Sequence, residues 1–551
     1  MSDSVLHGNG VVPGIGVGPV VRPIARPVVP ADEPGIDPDA GTAQFSAAAA
    51  RVADRLADRA ERATGPAAEV LLATAALARD RGLVALVQKR LAEGAGLCAA
   101  TAGAIDELSG MFSAAGGVMA ERVTDLADIR DRVIADLTGQ AEPGVPSPEV
   151  PSVLCADDLA PADTAGLDPA VVVAIATSLG GATSHTTIIA RQLGIPCVVG
   201  TNGLDDVAEG TRVLVDGSAG EVVIEPSPDL ARERTGAAEA AVAAAASWRG
   251  PGTTSDGHGV EILANVQDGA GARRAAETHV QGVGLFRTEL CFLDRDVEPT
   301  VDEQAAIYRE VFDAMGERKV VIRTLDAGSD KPLGFATIKD EPNPALGVRG
   351  MRLGLQDEGL MDRQLDAVAR AAEGSAGEVW VMAPMVATED EAAWFGAKVR
   401  AHGLVPGVMI EVPSAALLAD RILRHVDFVS IGTNDLSQYA FAADRMAASL
   451  SHLTDPWQPA LLRLVQGVAR AGLDAGKPVG VCGEAAADPQ LACVLAGLGI
   501  SSLSAAATAA PLVGATLGGV TLEACRSAAA AAMEASGPAE ARQVAIERLA
   551  D

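Results

Sequence analysis

The stretch best suited to chemistry is Gly-Gly-Ala-Thr-Ser-His at residues 180–185, which follows a short apolar run and precedes a helical pattern. Ser184 is a typical N-cap, and apolar residues recur at helical spacing as far as Leu193, where Gly194 ends the pattern. His185 is therefore predicted to lie in the first helical turn, where backbone N–H groups and the helix dipole favour an anion. An imidazole is a workable nucleophile near neutral pH, so this histidine could carry a phosphoryl group. The alternative is a capped surface histidine after a glycine turn.

A second set of candidate residues stands in the second half of the chain, where predicted strands end. Arg287 and Arg323 follow adjacent strands, and two arginines so placed fit a small anion that needs bidentate recognition. Glu411 and Asp435 follow two later strands and fit a hard divalent cation, typically Mg²⁺, that also holds phosphate oxygens. Arg445 follows an apolar stretch and could close over the ligand from a loop.

Each of these assignments has a plainer alternative. Any single arginine–carboxylate pair could be a salt bridge that caps the fold, but five of the eight predicted strand ends carry such groups. Cys482 could be a small buried hydrophobe, like Cys493 and Cys525 in the apolar stretches beyond it. Its place at a strand end beside Glu484, opposite the anion-binding set, makes it a candidate proton donor.

The strand ends belong to a regular pattern that begins after residue 255. Helical stretches separate eight short apolar runs, which lie at residues 262–266, 283–286, 320–324, 379–384, 407–411, 428–432, 478–482 and 500–503. Eight strand–helix units over roughly 250 residues predict a (β/α)₈ barrel, in which the chemistry sits at the carboxyl ends of the strands.

The first half of the chain predicts a different architecture. Apolar residues at helical spacing predict four helices at 42–63, 66–80, 84–114 and 117–137, and four strands are predicted near 171–176, 197–199, 212–215 and 221–224. Residues 11–20 have no sheet of their own and are expected to complete that of residues 152–226. The helical bundle would then be an insertion, either a scaffold or a docking surface.

These patterns predict a multidomain α/β protein with a barrel as its last domain. The domains expected are an α/β phosphohistidine domain at 1–40 and 141–227, a helical subdomain at 41–140, a linker helix at 228–254 and a barrel at 255–551. A chain of 551 residues is long enough for about two to four domains.

Composition excludes several classes of partner and location. The formal net charge is −30, from 43 Lys+Arg against 73 Asp+Glu, which argues against nucleic acid and anionic membrane as partners. The acidic charge suits a basic protein partner, and solubility alone is the alternative explanation. Seven scattered cysteines with no CxxC pair indicate reduced thiols in a cytoplasmic protein. We expect no signal peptide and no membrane insertion, because residues 1–10 are polar and the uncharged segment 489–522 contains polar residues and a proline.

The motifs together resemble Enzyme I of the phosphoenolpyruvate:sugar phosphotransferase system. The histidine stretch is Gly-Gly-Ala-Thr-Ser-His-Thr-Thr-Ile-Ile-Ala-Arg at residues 180–191, and the barrel motifs include Gly282-Val-Gly-Leu-Phe-Arg-Thr-Glu289, Gly347-Val-Arg-Gly-Met-Arg352, Gly407-Val-Met-Ile-Glu-Val-Pro413, Ile431-Gly-Thr-Asn-Asp-Leu-Ser-Gln-Tyr439 and Val481-Cys-Gly-Glu484. Pyruvate phosphate dikinase and phosphoenolpyruvate synthase share such domains but add an ATP-grasp domain. The segment 40–140 is too short and too helical to hold that domain.

The resemblance implies autophosphorylation by phosphoenolpyruvate. Arg287, Arg323, Asn434, Asp435 and Arg445 would bind the substrate.

Glu411 and Asp435 would hold Mg²⁺. His185 would accept the phosphoryl group on Nε2, and Cys482 would protonate the enolate to give pyruvate.

His185 would then phosphorylate a histidine of the phosphocarrier HPr, docked on the helical subdomain, as the first step of sugar uptake. The resemblance also implies a homodimer that pairs through the barrel. A non-catalytic sensor that binds phosphoenolpyruvate and signals through the helical domain is the alternative from another class.

Overall fold

The computed structural model describes residues 4–24, 26–30, 33–62, 66–115, 122–146, 148–157, 159, 167–181, 184–292, 295, 297–327, 333–337, 341–445, 447, 450 and 452–550. They fall into two compact units, Met1–Gly236 and Ala237–Asp551. No helix in these ranges is long and apolar enough to span a membrane.

An eight-stranded mixed sheet organises the first unit. Its strands are β1 (Ser4–His7), β2 (Asn9–Val12), β3 (Ile15–Val21), β4 (Ser152–Ala156), β5 (Val172–Thr177), β6 (Cys197–Val199), β7 (Arg212–Asp216) and β8 (Glu221–Ile224), in the order β1-β8-β7-β3-β4-β5-β6-β2. Strand β3 pairs with β4 on one side and β7 on the other, so the first residues of the chain do complete the later sheet. Strand β4 was not predicted, because its five residues follow a proline-rich linker and show no alternation.

Among the residues that the structure describes, five helices lie between β3 and β4. They are α1 (Pro38–Arg62), α2 (Pro66–Ala78), α3 (Arg81–Ala92), α4 (Leu97–Ala115) and α5 (Val123–Thr138), and their apolar faces enclose a separate core. The single helix predicted at 84–114 is wrong: the chain breaks it at Gly94, whose φ of +93° is a left-handed conformation that glycine adopts without strain. The start of the helix predicted at 117–137 lies partly outside the described residues.

The two connections of this helical insertion run side by side. Ile24, before α1, and Gly144, after α5, form an isolated antiparallel bridge in which the Ile24 N–H donates to the Gly144 carbonyl at 2.9 Å. The amide of Gln140 exchanges two hydrogen bonds of 3.2 Å with the backbone of Val28. The insertion therefore leaves and rejoins the sheet domain through two connections that are hydrogen-bonded to each other, which we call the paired neck.

Helix α6 (His185–Leu193) links β5 to β6, and α7 (Pro228–Ser247) follows β8. Trp248, just after α7, packs on the core of the second unit.

The second unit is a closed barrel of eight parallel strands. They are β9 (Glu261–Val266), β10 (Gly282–Arg287), β11 (Lys319–Arg323), β12 (Val379–Ala383), β13 (Val405–Ile410), β14 (Phe428–Ile431), β15 (Val479–Val481) and β16 (Ser502–Ala506), each paired with the next and β16 with β9. All eight strands predicted from the sequence are confirmed. Because both faces of these strands are covered, most of them are largely apolar runs rather than alternating ones.

Helices cover the outside of the barrel. They are α8 (Gly269–Glu277), α9 (Val301–Met315), α10 (Met351–Gln356), α11 (Glu358–Ala372), α12 (Glu389–Ala401), α13 (Pro413–Leu417), α14 (Ala419–Ile422), α15 (Thr433–Phe441), α16 (Pro459–Ala475), α17 (Pro489–Gly497), α18 (Ala510–Gly518), α19 (Leu522–Glu534) and α20 (Pro538–Ala550). Their buried residues and the outward-facing strand residues form one continuous core. A smaller apolar cluster fills the interior of the barrel. Both cores fix the strands, so the residues that follow the strands are held at one end of the barrel.

Candidate active site

Helix α6 begins as predicted from the sequence. Ser184 is its N-cap, with an extended backbone at φ −63° and ψ 158°, and its Oγ accepts a hydrogen bond from the Thr187 N–H at 3.3 Å. The Thr187 hydroxyl in turn donates to the Gly181 carbonyl at 2.8 Å, which ties the glycine turn to the first helical turn. Gly180 has a φ of +94°, a conformation that favours glycine. The backbone of His185 is thereby placed at the first helical position; its side chain lies outside the described residues.

The carboxyl end of the barrel carries a chain of alternating arginines and carboxylates. Its seven members, in order of contact, are Arg287, Glu289, Arg323, Asp326, Arg349, Asp435 and Arg445. They come from the ends of β10 and β11, the segment before α10, helix α15 and the segment after it. We call this set the ion-pair chain.

The first half of the ion-pair chain joins β10 to β11. Glu289 Oε1 accepts from Arg287 Nε at 3.3 Å and from Arg323 Nη2 at 2.8 Å. Arg323 Nη1 lies 3.2 Å from Asp326 Oδ2. Glu289 and Arg323 are almost completely buried, whereas Arg287 keeps 31% of its side chain exposed. The guanidinium of Arg287 is therefore more accessible to a ligand than that of Arg323.

The second half crosses from β11 to α15. Arg349 donates to both oxygens of Asp326, at 3.1 and 2.8 Å, in a bidentate pair. It also donates from Nη1 to Asp435 Oδ1 at 3.2 Å, and Arg445 Nη1 donates to Asp435 Oδ2 at 3.2 Å. Both carboxylate oxygens of Asp435 are thus held by arginines, and Arg445 keeps 23% of its side chain exposed.

The guanidinium groups remain charged inside the protein because carboxylates surround them. Burial by itself lowers the pKa of Arg323, but the carboxylates around it, Glu289 and Asp326 foremost, outweigh burial and raise the pKa above its ordinary value. The same balance holds for Arg349, for which burial is outweighed by Asp326 and Asp435. A buried charge that loses its partner is strongly destabilising, so this site is sensitive to removal of any single member.

Glu411 follows β13 and lies beside the ion-pair chain. Its Oε1 accepts from the Met385 N–H at 2.7 Å, and a side chain at Gly432 would come within 2.8 Å of Oε2, so glycine there leaves space beside that oxygen. Burial, reinforced by the carboxylates of Asp435 and Asp326, raises the pKa of Glu411 to about 8. A raised carboxyl pKa marks a place where negative charge lacks enough compensation.

Asn434 and Cys482 lie near this site but outside the ion-pair chain. Asn434 is on α15, and its Oδ1 accepts from the Glu484 N–H after β15 at 2.9 Å. Cys482 follows β15 and belongs to the apolar cluster inside the barrel, where its Sγ donates to the Ile431 carbonyl at 3.6 Å. Burial raises the pKa of Cys482 to about 11, so its thiol stays protonated at neutral pH.

Sequence reasoning omitted three members of the ion-pair chain from the candidate set. Glu289 and Asp326 follow the predicted strands by only a few residues, and their proximity to Arg287 and Arg323 was the signal that could have found them. Arg349 lies in a segment between β11 and α10 that has no periodicity, and only its place in the motif at residues 347–352 marked it.

Models of three protein families match consecutive parts of the chain. Their descriptions are PEP-utilising enzyme, N-terminal, over residues 7–122; PEP-utilising enzyme, mobile domain, over 148–220; and PEP-utilising enzyme, PEP-binding domain, over 243–520. The mobile-domain match contains His185, and the PEP-binding match contains the whole ion-pair chain.

Curated relatives are similar over most of the chain. The phosphoenolpyruvate-protein phosphotransferase of Streptomyces coelicolor is 49% identical over 490 residues, which cover 88% of this chain and 88% of that protein. The protein of the same name from Haloferax volcanii is 39% identical over 448 residues, or 79% and 78% of the two chains. A multiphosphoryl transfer protein of Rhodobacter capsulatus is 45% identical over 405 residues, 70% of this chain but 48% of the longer relative.

Proposed function

We propose that this chain, which belongs to the phosphoenolpyruvate-protein phosphotransferase family, accepts a phosphoryl group on His185 and passes it to a histidine of the phosphocarrier HPr. The chain is a phosphotransferase that uses phosphoenolpyruvate, as its family establishes. The proposal adds the acceptor histidine, the carrier, a cytoplasmic location and a role as the first step of sugar uptake.

The ion-pair chain is the observation that carries the proposal. Phosphoenolpyruvate presents a carboxylate and a phosphate on a three-carbon frame, and planar guanidinium groups bind both kinds of oxygen in a bidentate manner. Arg287 and Arg445, the partly exposed arginines at the two ends, are available to contact these oxygens first. Arg323 lies between them on the same end of the barrel, and Asn434 supplies an amide beside Asp435.

A magnesium ion fits beside Glu411. Hard oxygen ligands suit Mg²⁺, and a cation there would favour the ionised form of Glu411, whose pKa is raised by burial and, in addition, by the carboxylates of Asp435 and Asp326. Among the described residues no three His, Cys, Asp or Glu side chains are grouped as a metal site. We propose Glu411 and Asp435 as the ligands that the protein supplies. Mg²⁺ commonly takes its other ligands from water and substrate phosphate. When bound, the ion would reduce the charge of the transferring phosphoryl group.

The protein's own groups account for the remaining chemistry. In the proposed step a neutral nitrogen of His185 attacks phosphorus while the bond from phosphorus to the enol oxygen breaks, and the arginines offset the charge on the equatorial oxygens. The enolate that leaves takes a proton on carbon from the Cys482 thiol and becomes pyruvate. The thiolate then recovers a proton from water.

His185 and the barrel belong to different compact units, so the proposed transfer passes a phosphoryl group from one unit to the other. We propose that links within residues 143–151 and 226–255 permit the movement, because domain motion of this kind is a common device. The domain limits predicted from the sequence, and a homodimer through the barrel, stay predictions that limited proteolysis and sedimentation would examine.

A labelling experiment tests the proposal. The protein is mixed with Mg²⁺ and phosphoenolpyruvate carrying ³²P, and a base-stable, acid-labile label on His185 is expected, followed by transfer to added HPr. His279→Ala is a matched control, because His279 precedes β10 and so lies away from the carboxyl ends of the barrel strands, where the candidate site is. Binding of phosphoenolpyruvate without any label would instead identify a sensor and refute the proposal.

A further inference from the structure

Gln364 lies behind the ion-pair chain, and its side chain makes hydrogen bonds that packing alone would not need. It lies on α11, outside the barrel wall, and is 2% exposed. Its Oε1 accepts from the Leu325 N–H at 3.0 Å, after β11. Its Nε2 donates to the Thr288 hydroxyl after β10 at 3.1 Å and to the Tyr308 hydroxyl of α9 at 3.1 Å. One side chain therefore holds the ends of two adjacent strands.

The donor directions near the strands are fixed by backbone groups. The Leu325 N–H can only donate, so the Gln364 oxygen must face it and its NH₂ must face Thr288. The Thr288 hydroxyl donates to the Arg323 carbonyl at 2.8 Å and is therefore the acceptor for Gln364. Turning the Gln364 amide over would place two donors together at Leu325.

The outer part of the network is fixed in the same way. Gln304 Nε2 donates to the Pro299 carbonyl at 3.0 Å, which leaves its oxygen to accept from the Tyr308 hydroxyl at 3.1 Å. The oxygen of Tyr308 then accepts from Gln364. Burial raises the pKa of Tyr308, so its hydroxyl keeps its proton at neutral pH. The network has one consistent arrangement, and a network of this kind is rigid.

We propose that Gln364 is a positioning residue that sets the spacing of the β10 and β11 ends and so aligns the arginines for phosphoenolpyruvate. Thr288 lies between Arg287 and Glu289, and Leu325 lies between Arg323 and Asp326. A shift of either backbone would change the separation of the two guanidinium groups. At metal sites the loss of a supporting group lowers affinity by about 10–100-fold, and we expect a loss of that order here. The inference rests on the proposed function, because it assigns phosphoenolpyruvate to these arginines.

Gln364→Glu tests the role with almost no change of shape. A carboxylate can accept from Leu325 but cannot donate to Thr288 or Tyr308, so the dissociation constant for phosphoenolpyruvate should rise about 10–100-fold at a pH high enough to ionise this buried carboxyl, whose pKa burial raises. Protonation restores one donor, so the ratio of the variant and wild-type dissociation constants should fall as the pH is lowered. Calorimetry on the full chain measures both effects.

Gln281→Glu is the matched control at the other end of β10. The Gln281 oxygen accepts from the Gly252 N–H at 2.9 Å and the Ile262 N–H at 3.1 Å, contacts that a carboxylate keeps. This variant should bind phosphoenolpyruvate like wild type. An equal loss of affinity in both variants would overturn the role of Gln364, because it would indicate general destabilisation.

Gln364→Met covers the case in which Gln364→Glu does not fold. Methionine preserves the volume and adds no charge. The loss of phosphoenolpyruvate affinity in this variant, relative to wild type, should therefore not depend on pH. Folded Gln364 variants with wild-type affinity would reduce Gln364 to packing. Wild-type protein that binds no phosphoenolpyruvate would refute the proposed function and this role with it. That result differs from failure of this role alone, in which wild-type protein still binds.

Discussion

The two candidate sites of this molecule are built in opposite ways. The start of α6 is one continuous stretch of a dozen residues, and its geometry comes from an N-cap, a glycine turn and backbone N–H groups. The ion-pair chain draws seven side chains from separate segments around the barrel, and they hold one another through charge. At the start of α6 the chemistry depends on one residue, whereas in the ion-pair chain it depends on several residues together. Substitutions should therefore act locally in the first site and collectively in the second.

The largest expected effect is that of His185→Ala, which should abolish the phosphoprotein. Because the arginines lie in the other compact unit, the variant should still bind phosphoenolpyruvate with wild-type affinity. Radiolabelling and calorimetry on one preparation measure the two properties. Loss of binding in this variant would break the division between the sites.

Asp435→Ala should come next, and it should affect several neighbours at once. It leaves Arg349 and Arg445 without one partner each and removes one of two proposed metal ligands. We expect labelling of His185 to be nearly abolished and the magnesium concentration for half-maximal labelling to rise sharply. A magnesium titration of labelling checks this, and wild-type dependence would contradict the metal assignment.

Cys482→Ala should have a smaller and more selective effect. A general acid typically contributes about 10²–10⁴-fold, so pyruvate release should slow by that factor while His185 is still labelled. Because burial raises the pKa of Cys482 to about 11, the thiol remains a proton donor well above pH 9, and wild-type pyruvate release should not fall through thiol ionisation below that pH. Separate assays of label and pyruvate decide the point. Equal rates for variant and wild type would leave Cys482 a packing residue.

The smallest expected effect concerns the helix cap. Ser184→Ala removes the acceptor for the Thr187 N–H and should cost about 1 kcal/mol, which corresponds to amide exchange in α6 about five-fold faster. Thr388→Ala removes an equivalent cap from α12 in the barrel. Exchange that quickens in both units for either variant would show that the two sites are less separate than their construction suggests.

The barrel could be predicted well from the sequence, because parallel strands that are covered on both faces are short apolar runs. Helical stretches separate these runs along the chain. The same rule located Arg287, Arg323 and Asp435, since a residue just after a barrel strand must lie at the functional end. It could not locate Arg349, whose segment has neither strand nor helix period before Met351.

Other elements escaped prediction for local reasons. Strand β4 is only five residues long, and no alternation distinguishes a fully buried strand of that length from a loop. Gly94 divides one predicted helix into two, because a single glycine inside a helical pattern is tolerated and so does not reveal a break. The hydrogen bonds of Gln364 join residues that are far apart in sequence, so no spacing pattern in the sequence predicts them.

The paired neck at Ile24 and Gly144 has a consequence for the history of the chain. Because the two connections are hydrogen-bonded to each other, we expect that the helical segment between them could be excised or exchanged and the gap closed by a short turn. The sheet domain would keep β3 against β4, and with them the platform for α6. We therefore expect that changes in the helical module can be accommodated at this neck without displacing β3, β4 or the start of α6.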